Sequence, residues 1–111
     1  MDEQMASYYS KKGKEVKLSI SKHAVIQFFQ RWKIAFPDQP LSFDEVIDKI
    51  IQWFSSTNQI QNLSRKEQIR IKHYGNGKDT LFFRTNDFTF VVQNACIVTI
   101  ELSNKNKRQF N

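Results

Sequence analysis

The apolar and polar residues between positions 15 and 36 follow two different periods, which predicts a strand leading directly into a helix. From Glu15 to Ile20, apolar residues alternate with polar ones, as on a half-buried strand. From position 21 onward, apolar residues recur at spacings of three and four, the period of an amphipathic helix. Ser21 is a suitable N-cap, and Pro37 disfavours helical geometry in the residue before it, so the helix is expected to end at Phe36. Its apolar stripe consists of Val25, Phe28, Phe29, Trp32 and Phe36.

A second helix is predicted after the short connection from Pro37 to Pro40. Ser42 and Glu45 have the spacing of a capping box. Asp44 and Asp48 lie in the early turns, where the helix macrodipole favours negative charge, so these acids do not indicate a catalytic pair. The expected inward stripe is Phe43, Ile47, Ile50, Ile51 and Phe54.

Beyond position 66 the apolar period changes to two, which predicts an antiparallel meander of four strands. Asn86-Asp87 and Asn94-Ala95 are expected to be tight two-residue turns. With turns of that length, Phe83 pairs with Phe90, and Phe90 pairs in turn with Thr99. The same register pairs Leu81 with Val92 and Arg84 with Thr89. The four predicted strands are Glu67–Tyr74, Thr80–Thr85, Phe88–Gln93 and Cys96–Leu102.

These elements predict an α+β fold in which an N-terminal strand precedes two helices packed on one face of the four-stranded meander. The other face of the sheet is expected to stay available and to carry basic side chains. Residues 1–14 have little periodicity and are interpreted as a flexible lead-in. Residues 15–102 form the single domain, and residues 103–111 form a basic tail.

The charge of the chain favours an anionic partner. The net charge is +6, and residues 65–84 hold six basic residues against two acidic ones. Nucleic acid is the commonest partner for such a distribution, although charge of this size also serves solubility. No apolar run approaches the length of a membrane span, so a cytoplasmic protein without membrane contact is expected. His23, His73 and Cys96 are the only imidazoles and the only thiol, so no metal site and no cofactor is expected.

The polar residues of the first helix suggest acid–base chemistry on RNA. His23, Gln27 and Arg31 recur at spacings of four and form a stripe roughly opposite the apolar one. An imidazole can transfer a proton near neutral pH, and arginine can hold a phosphate. This set suits metal-independent attack of a 2′-hydroxyl on the adjacent phosphate. The alternative is that the stripe is only the solvated face of an amphipathic helix.

The remaining candidates come from the predicted sheet. Arg84 would hold phosphate charge together with Arg31, and His73 or Tyr74 would supply the second proton. His73 also lies in line with two isoleucines, which is typical of a structural histidine. The residues expected to contact nucleic acid are Gln27, Arg70, Lys72, His73 and Tyr74.

The stretch SKHAVIQFFQRW from Ser21 to Trp32, followed by a second helix and a late Ile-Val-Thr-Ile strand, resembles the RelE-like toxin superfamily. The resemblance is to an uncharacterised group with a His-Ala start to the first helix, and it implies the fold shared by barnase, EndoU and the colicin ribonucleases. His23, Arg31 and Thr99 match the family's histidine, second arginine and late threonine, and Thr99 would orient a neighbouring group. Gln27 departs from the pattern, because an arginine is expected there.

The resemblance implies a toxin-like, metal-independent endoribonuclease with a cognate antitoxin or inhibitor protein. Two other hypotheses remain open. One is a non-catalytic module of the same fold that binds nucleic acid or a protein through a basic sheet face. The other is a toxin that binds a protein target such as a topoisomerase. Convergence of His23, Arg31 and Arg84 on one pocket would favour catalysis, and their dispersal would favour binding.

Overall fold

The computed structural model describes residues 6–59, 65, 67–69 and 80–103. The helices are α1 (Lys22–Ala35) and α2 (Val46–Ser55), and a 3-10 turn, Phe43–Glu45, precedes α2. Residues 65 and 67–69 also have helical backbone. The strands are β1 (Ala6–Tyr9), β2 (Glu15–Ile20), β3 (Asn58–Gln59), β4 (Leu81–Arg84), β5 (Phe88–Gln93) and β6 (Cys96–Leu102).

The fold is α+β, with one six-stranded sheet in the order β1-β2-β6-β5-β4-β3. β2 runs parallel to β6, and the other neighbouring strands are antiparallel. The predicted strand before α1 and the last three strands of the meander are confirmed. The predicted strand Glu67–Tyr74 is wrong at its beginning, because residues 67–69 are helical. Positions 70–74 lie outside the described residues.

The register of the β4–β5 hairpin is the predicted one. Phe83 pairs with Phe90 and Arg84 with Thr89, across the two-residue turn at Asn86-Asp87. The Thr85 hydroxyl stabilises this turn, because it accepts hydrogen bonds from the backbone N–H groups of residues 87 and 88 at 3.2 and 3.1 Å. The length of the turn was therefore enough to predict which side chains of this hairpin share a face.

The next hairpin departs from the prediction at a β-bulge. Gln93 pairs with Cys96, as a two-residue turn requires, but the register shifts between Val91 and Val92. Val98 is the additional residue on β6, so Phe90 pairs with Ile100 instead of Thr99. The bulge therefore moves Ile100, and not Thr99, into the same row as Phe90.

The core lies between the two helices and one face of the sheet, which we call the helix face. α1 contributes Ala24, Phe28 and Trp32 to it, at spacings of four. Trp32 and Phe88 lie with their rings 6.3 Å apart and nearly parallel, and Trp53 meets Phe88 edge-on at 5.4 Å. The sheet residues of this core are Leu18, Phe83, Phe88, Phe90, Val92, Ile97 and Ile100.

The stripe of α2 is rotated relative to the prediction. Val46, Ile50 and Phe54 are buried, whereas Phe43 and Ile47 are 55% and 40% exposed. The start of this helical region is stabilised as expected, because the backbone N–H and hydroxyl of Ser42 both donate to the Glu45 carboxylate. The backbone hydrogen bond from Ser42 is the main reason that the pKa of Glu45 is lowered.

The opposite side of the sheet, the outer face, is covered at its centre. Phe82 and Val91 pair with each other on this face and are 1% and 0% exposed. Thr89 on the same face is 5% exposed. The expectation that this face stays available is therefore wrong at these positions. β5 is buried on both sides, which agrees with the lack of a clean alternation of apolar and polar residues in its sequence, FTFVVQ.

Part of the N-terminal segment forms a strand. Residues 6–9 form β1, which pairs antiparallel with β2. The sheet curls enough for Tyr8 on β1 to contact Phe83 on β4, with ring centroids 5.0 Å apart. Among the described residues, no helix is long and apolar enough to cross a membrane.

The turn between β5 and β6 offers a test of the backbone geometry. Asn94 and Ala95 both have positive φ, 51° and 58°, and such a conformation costs an alanine about 1–2 kcal/mol. We expect Ala95→Gly to raise the free energy of unfolding by about 0.5–1 kcal/mol, after the greater backbone entropy of glycine in the unfolded chain is subtracted. Urea denaturation measures this change, and Ala35→Gly within α1 is the control, which should destabilise. Destabilisation by Ala95→Gly would contradict the turn geometry.

Candidate functional site along the first helix

α1 is attached to the edge of β6 through its N-cap. β2 pairs with β6 only at Ser19–Cys96 and Ile20–Ile97, and the chain then turns into the helix. The Ser21 hydroxyl accepts a hydrogen bond from the Ala24 N–H at 3.0 Å and donates one to the Val98 carbonyl at 3.3 Å. One side chain therefore caps the helix and holds it at the bulge of β6.

Gln27 continues this attachment six positions after Ser21, nearly two turns further along the helix. Its Oε1 accepts a hydrogen bond of 2.9 Å from the backbone N–H of Ile100. The residue is half-buried. Gln27 therefore replaces a strand partner for β6, a role that arginine cannot fill because its guanidinium has no acceptor. This contact gives a structural reason for glutamine at the position where the resemblance led us to expect arginine.

Arg31 lies beside a groove at the end of β6. The groove has a volume of about 370 Å³ and is lined by Gln30, Arg31, Ile34, Glu101 and Leu102. Arg31 is half-buried, and Ile34 is 43% exposed. A guanidinium next to apolar side chains can bind an anionic group while its neighbours contact the less polar part of the same ligand. The Glu101 carboxylate lowers the positive potential of this groove.

His23 lies in the first turn of α1 and is exposed. It shares the polar stripe with Arg31, but the two residues are eight positions apart, which is about 12 Å along the helix axis. The sequence predicts that this stripe faces directly away from the core. It does not, because the buried side of α1 is centred on Ala24, Phe28 and Trp32. Gln27 and Arg31 each lie one position before a core residue, so they flank the core next to β6.

Arg84 takes part in a polar network on the outer face. Its Nη2 donates to the carboxylate of Glu67 in an ion pair, and its Nε donates to the Thr89 hydroxyl at 3.2 Å. The Thr89 and Ser103 hydroxyls are 3.2 Å apart, and the Ser103 hydroxyl donates to the Thr85 carbonyl at 2.9 Å. Glu67, Thr89 and Ser103 are all buried. The network links β4, β5 and the segment after β6 to the helical residues at 67–69.

Thr99 lies next to the bulge, in a different place from the helix stripe. It is half-buried and pairs with Val91, which places it on the outer face in the row that contains Phe82. Two strand spacings, roughly 10 Å, separate β6 from β4, the strand that carries Arg84. The predicted nucleic-acid contacts Arg70, Lys72, His73 and Tyr74 lie outside the described residues.

The candidate residues are thus distributed over several surfaces. Arg31 lines the groove, whereas His23, Arg84 and Thr99 are not among the groove residues. Within the described residues, no group of three or more histidine, cysteine, aspartate or glutamate side chains could hold a metal ion. The arrangement on α1 can bind an anion at Arg31 and expose an imidazole about two turns away.

The groove itself was not found from the sequence, although one signal was available. Ile26 and Ile34 are exposed on α1 by 48% and 43%. Both are large apolar residues that fall outside the predicted stripe, and such residues indicate a possible contact surface. The sequence contains no comparable indication of the Glu67–Arg84 ion pair, because the two residues are 17 positions apart and lie in segments predicted as separate strands.

Comparison of the chain with protein-family models, with curated proteins and with solved structures found no match in any of the three.

The hydrogen bond from Ile100 to Gln27 can be tested by stability measurements. Gln27→Met and Gln27→Arg each remove the acceptor, and we expect each to lower the free energy of unfolding by about 1–3 kcal/mol. Gln27→Glu is the matched control, because a carboxylate keeps an acceptor at this position. Equal stability of the Met and Glu variants in urea denaturation would rule out this role.

The Glu67–Arg84 pair can be tested with a double-mutant cycle of Glu67→Gln and Arg84→Met. Each single change removes the charge interaction between these two side chains in a partly buried network, so both should destabilise the fold. We expect a coupling energy of about 1–2 kcal/mol in urea denaturation, because the two side chains interact directly. Purely additive effects would show that the pair contributes nothing to stability.

Proposed function

We propose that this chain is a non-catalytic RNA-binding domain that contacts its ligand along α1 and in the groove beside β6. The supporting features are the net charge of +6, the half-buried Arg31 in the groove, and exposed Lys22 and His23 at the start of the same helix. Arginine with neighbouring apolar side chains suits a nucleotide, which offers both a phosphate and a flat base.

We favour binding over cleavage because the predicted catalytic residues lie apart from one another. General acid–base catalysis needs its groups within hydrogen-bonding reach of one reacting phosphate. His23 and Arg31 are about 12 Å apart along α1, and Arg84 and Thr99 lie on the outer face of the sheet. Gln27 and Arg84 already have partners within the protein, Ile100 and Glu67.

A second candidate function is metal-independent RNA cleavage, in a cytoplasmic toxin–antitoxin system with an antitoxin or inhibitor protein as partner. The resemblance to the RelE-like superfamily motivates it. The exposed position of His23 on the same helix stripe as Arg31 supports it, since one bound strand could contact both residues. His23 would then transfer the proton, and Arg31 would hold a phosphate.

RNA binding can be measured by fluorescence anisotropy with a labelled, mixed-sequence, single-stranded RNA of about 20 nucleotides. We expect Arg31→Ala to weaken binding about tenfold, because a charge-assisted hydrogen bond is worth about 1.5 kcal/mol or more. Glu101→Gln should strengthen binding about twofold, since it removes negative charge from the same groove. Lys33→Ala is the matched control, because it removes a cation that lies 4.5 Å from the Phe29 ring centroid and is not among the groove residues.

The outcomes distinguish the candidate functions. Equal effects of Arg31→Ala and Lys33→Ala would rule out the groove as the RNA site. The RNA should stay intact in EDTA, whereas His23-dependent cleavage that leaves cyclic-phosphate ends would establish the ribonuclease instead. Growth arrest on expression, without RNA binding or RNA loss, would point to a protein target.

A further inference from the structure

The hairpin formed by β1 and β2 presents a cluster of lysines on a well-defined turn. The Gly13 N–H donates to the Ser10 carbonyl at 2.8 Å, and the Ser10 N–H donates to the Lys14 carbonyl at 2.9 Å. The backbone φ of Gly13 is +80°, a value that residues other than glycine rarely adopt. Lys11 and Lys12 occupy the exposed positions of this closed turn. The turn therefore holds the lysine backbones in one conformation.

The two tyrosines of β1 have different environments. Tyr8 points to the helix face and contacts Phe83, with ring centroids 5.0 Å apart. Tyr9 is 69% exposed, the largest exposure among the large hydrophobic side chains of the described residues. Because side chains alternate along a strand, Tyr9 lies on the side of the hairpin opposite to Tyr8. Its ring is therefore a solvent-facing aromatic surface next to the turn.

The hairpin that carries Tyr9 has a net positive charge. Lys11, Lys12, Lys14 and Lys17 are all exposed, and Glu15 is the one acidic residue between positions 6 and 20. Ser7 pairs with Lys17 and Tyr9 with Glu15, so Lys17 and Glu15 both share the face of the hairpin that carries Tyr9. An exposed aromatic ring among lysines is the combination with which proteins bind single-stranded nucleic acid, because bases stack on the ring and phosphates meet the cations.

We infer that the β1–β2 hairpin is a second contact surface for single-stranded RNA, with Tyr9 stacking on a base and the lysines contacting phosphates. This inference rests on the proposed RNA-binding function, and it adds that the preferred ligand is unpaired. The hairpin turn and the Arg31 groove lie near opposite ends of the β2–β6 pair, roughly 30 Å apart along the strands. One strand must therefore be long and extended to occupy both surfaces.

Tyr9 is tested with a matched pair of variants in anisotropy titrations of the full chain with a labelled oligouridine of about 20 nucleotides. Tyr9→Leu keeps an apolar side chain but removes the ring, and it should weaken binding about tenfold. Tyr9→Phe removes only the hydroxyl and should stay within about twofold of the wild type. Equal losses in the two variants, or no loss in either, would overturn stacking on Tyr9.

The lysines are tested through the salt dependence of binding. Lys11→Gln with Lys14→Gln should lower the slope of log K against log salt by about 1.4, since each phosphate contact on a single strand contributes about 0.7. The control is Lys33→Gln with Lys49→Gln, which removes the same charge from lysines that lie over the Phe29 and Trp32 rings. Equal slopes for the two double variants would overturn the phosphate contacts of the hairpin.

The two proposals fail in different ways. If the wild type binds the RNA but the hairpin variants match their controls, the hairpin inference is wrong and the groove can still be the site. If the hairpin variants weaken binding but Arg31→Ala does not, the hairpin is the site and the groove is not. If the wild type binds no RNA, both proposals fall.

Discussion

The structure depends on how the backbone hydrogen-bonding groups along one edge of β6 find partners beyond the end of β2. β2 pairs with β6 at only two positions, and the next backbone groups of β6 would otherwise lack partners in a partly buried place. Ser21 bonds the Val98 carbonyl and Gln27 bonds the Ile100 amide, so side chains of one helix take over from a strand. This constraint sets the position of α1 along the sheet, and through α1 it sets the core and the groove.

The same attachment explains why the residues in the polar stripe of α1 have different roles. Gln27 is committed to the fold, Arg31 faces the groove, and His23 stays exposed. A row of polar residues on a helix thus combines a structural contact with residues that are available to a ligand. Their equal spacing in the sequence carries no information about this difference, because the partner of Gln27 on β6, Ile100, lies 73 positions away.

The sequence was sufficient where local chemistry decides the structure. The turn at Asn86-Asp87 set the pairing of Phe83 with Phe90, and Ser21 and Pro37 bounded α1. It was insufficient where distant segments meet. The bulge at Val98 faces the start of α1, and Arg84 is held by Glu67 across 17 positions, so neither follows from a local pattern. Among the candidate site residues, types and spacings could be predicted, but not which of them already have partners.

The aromatic core gives the molecule a selective optical reporter. Both tryptophans of the chain, Trp32 and Trp53, lie in one cluster with Phe88, at the junction of the two helices and β5. Intrinsic tryptophan emission therefore reports the docking of the helices on the sheet. The N-terminal hairpin and the outer face contribute tyrosine and phenylalanine but no tryptophan, so changes there leave this emission largely unaltered. When tryptophan is excited selectively, its emission therefore reports loss of the core and responds little to rearrangement at the periphery.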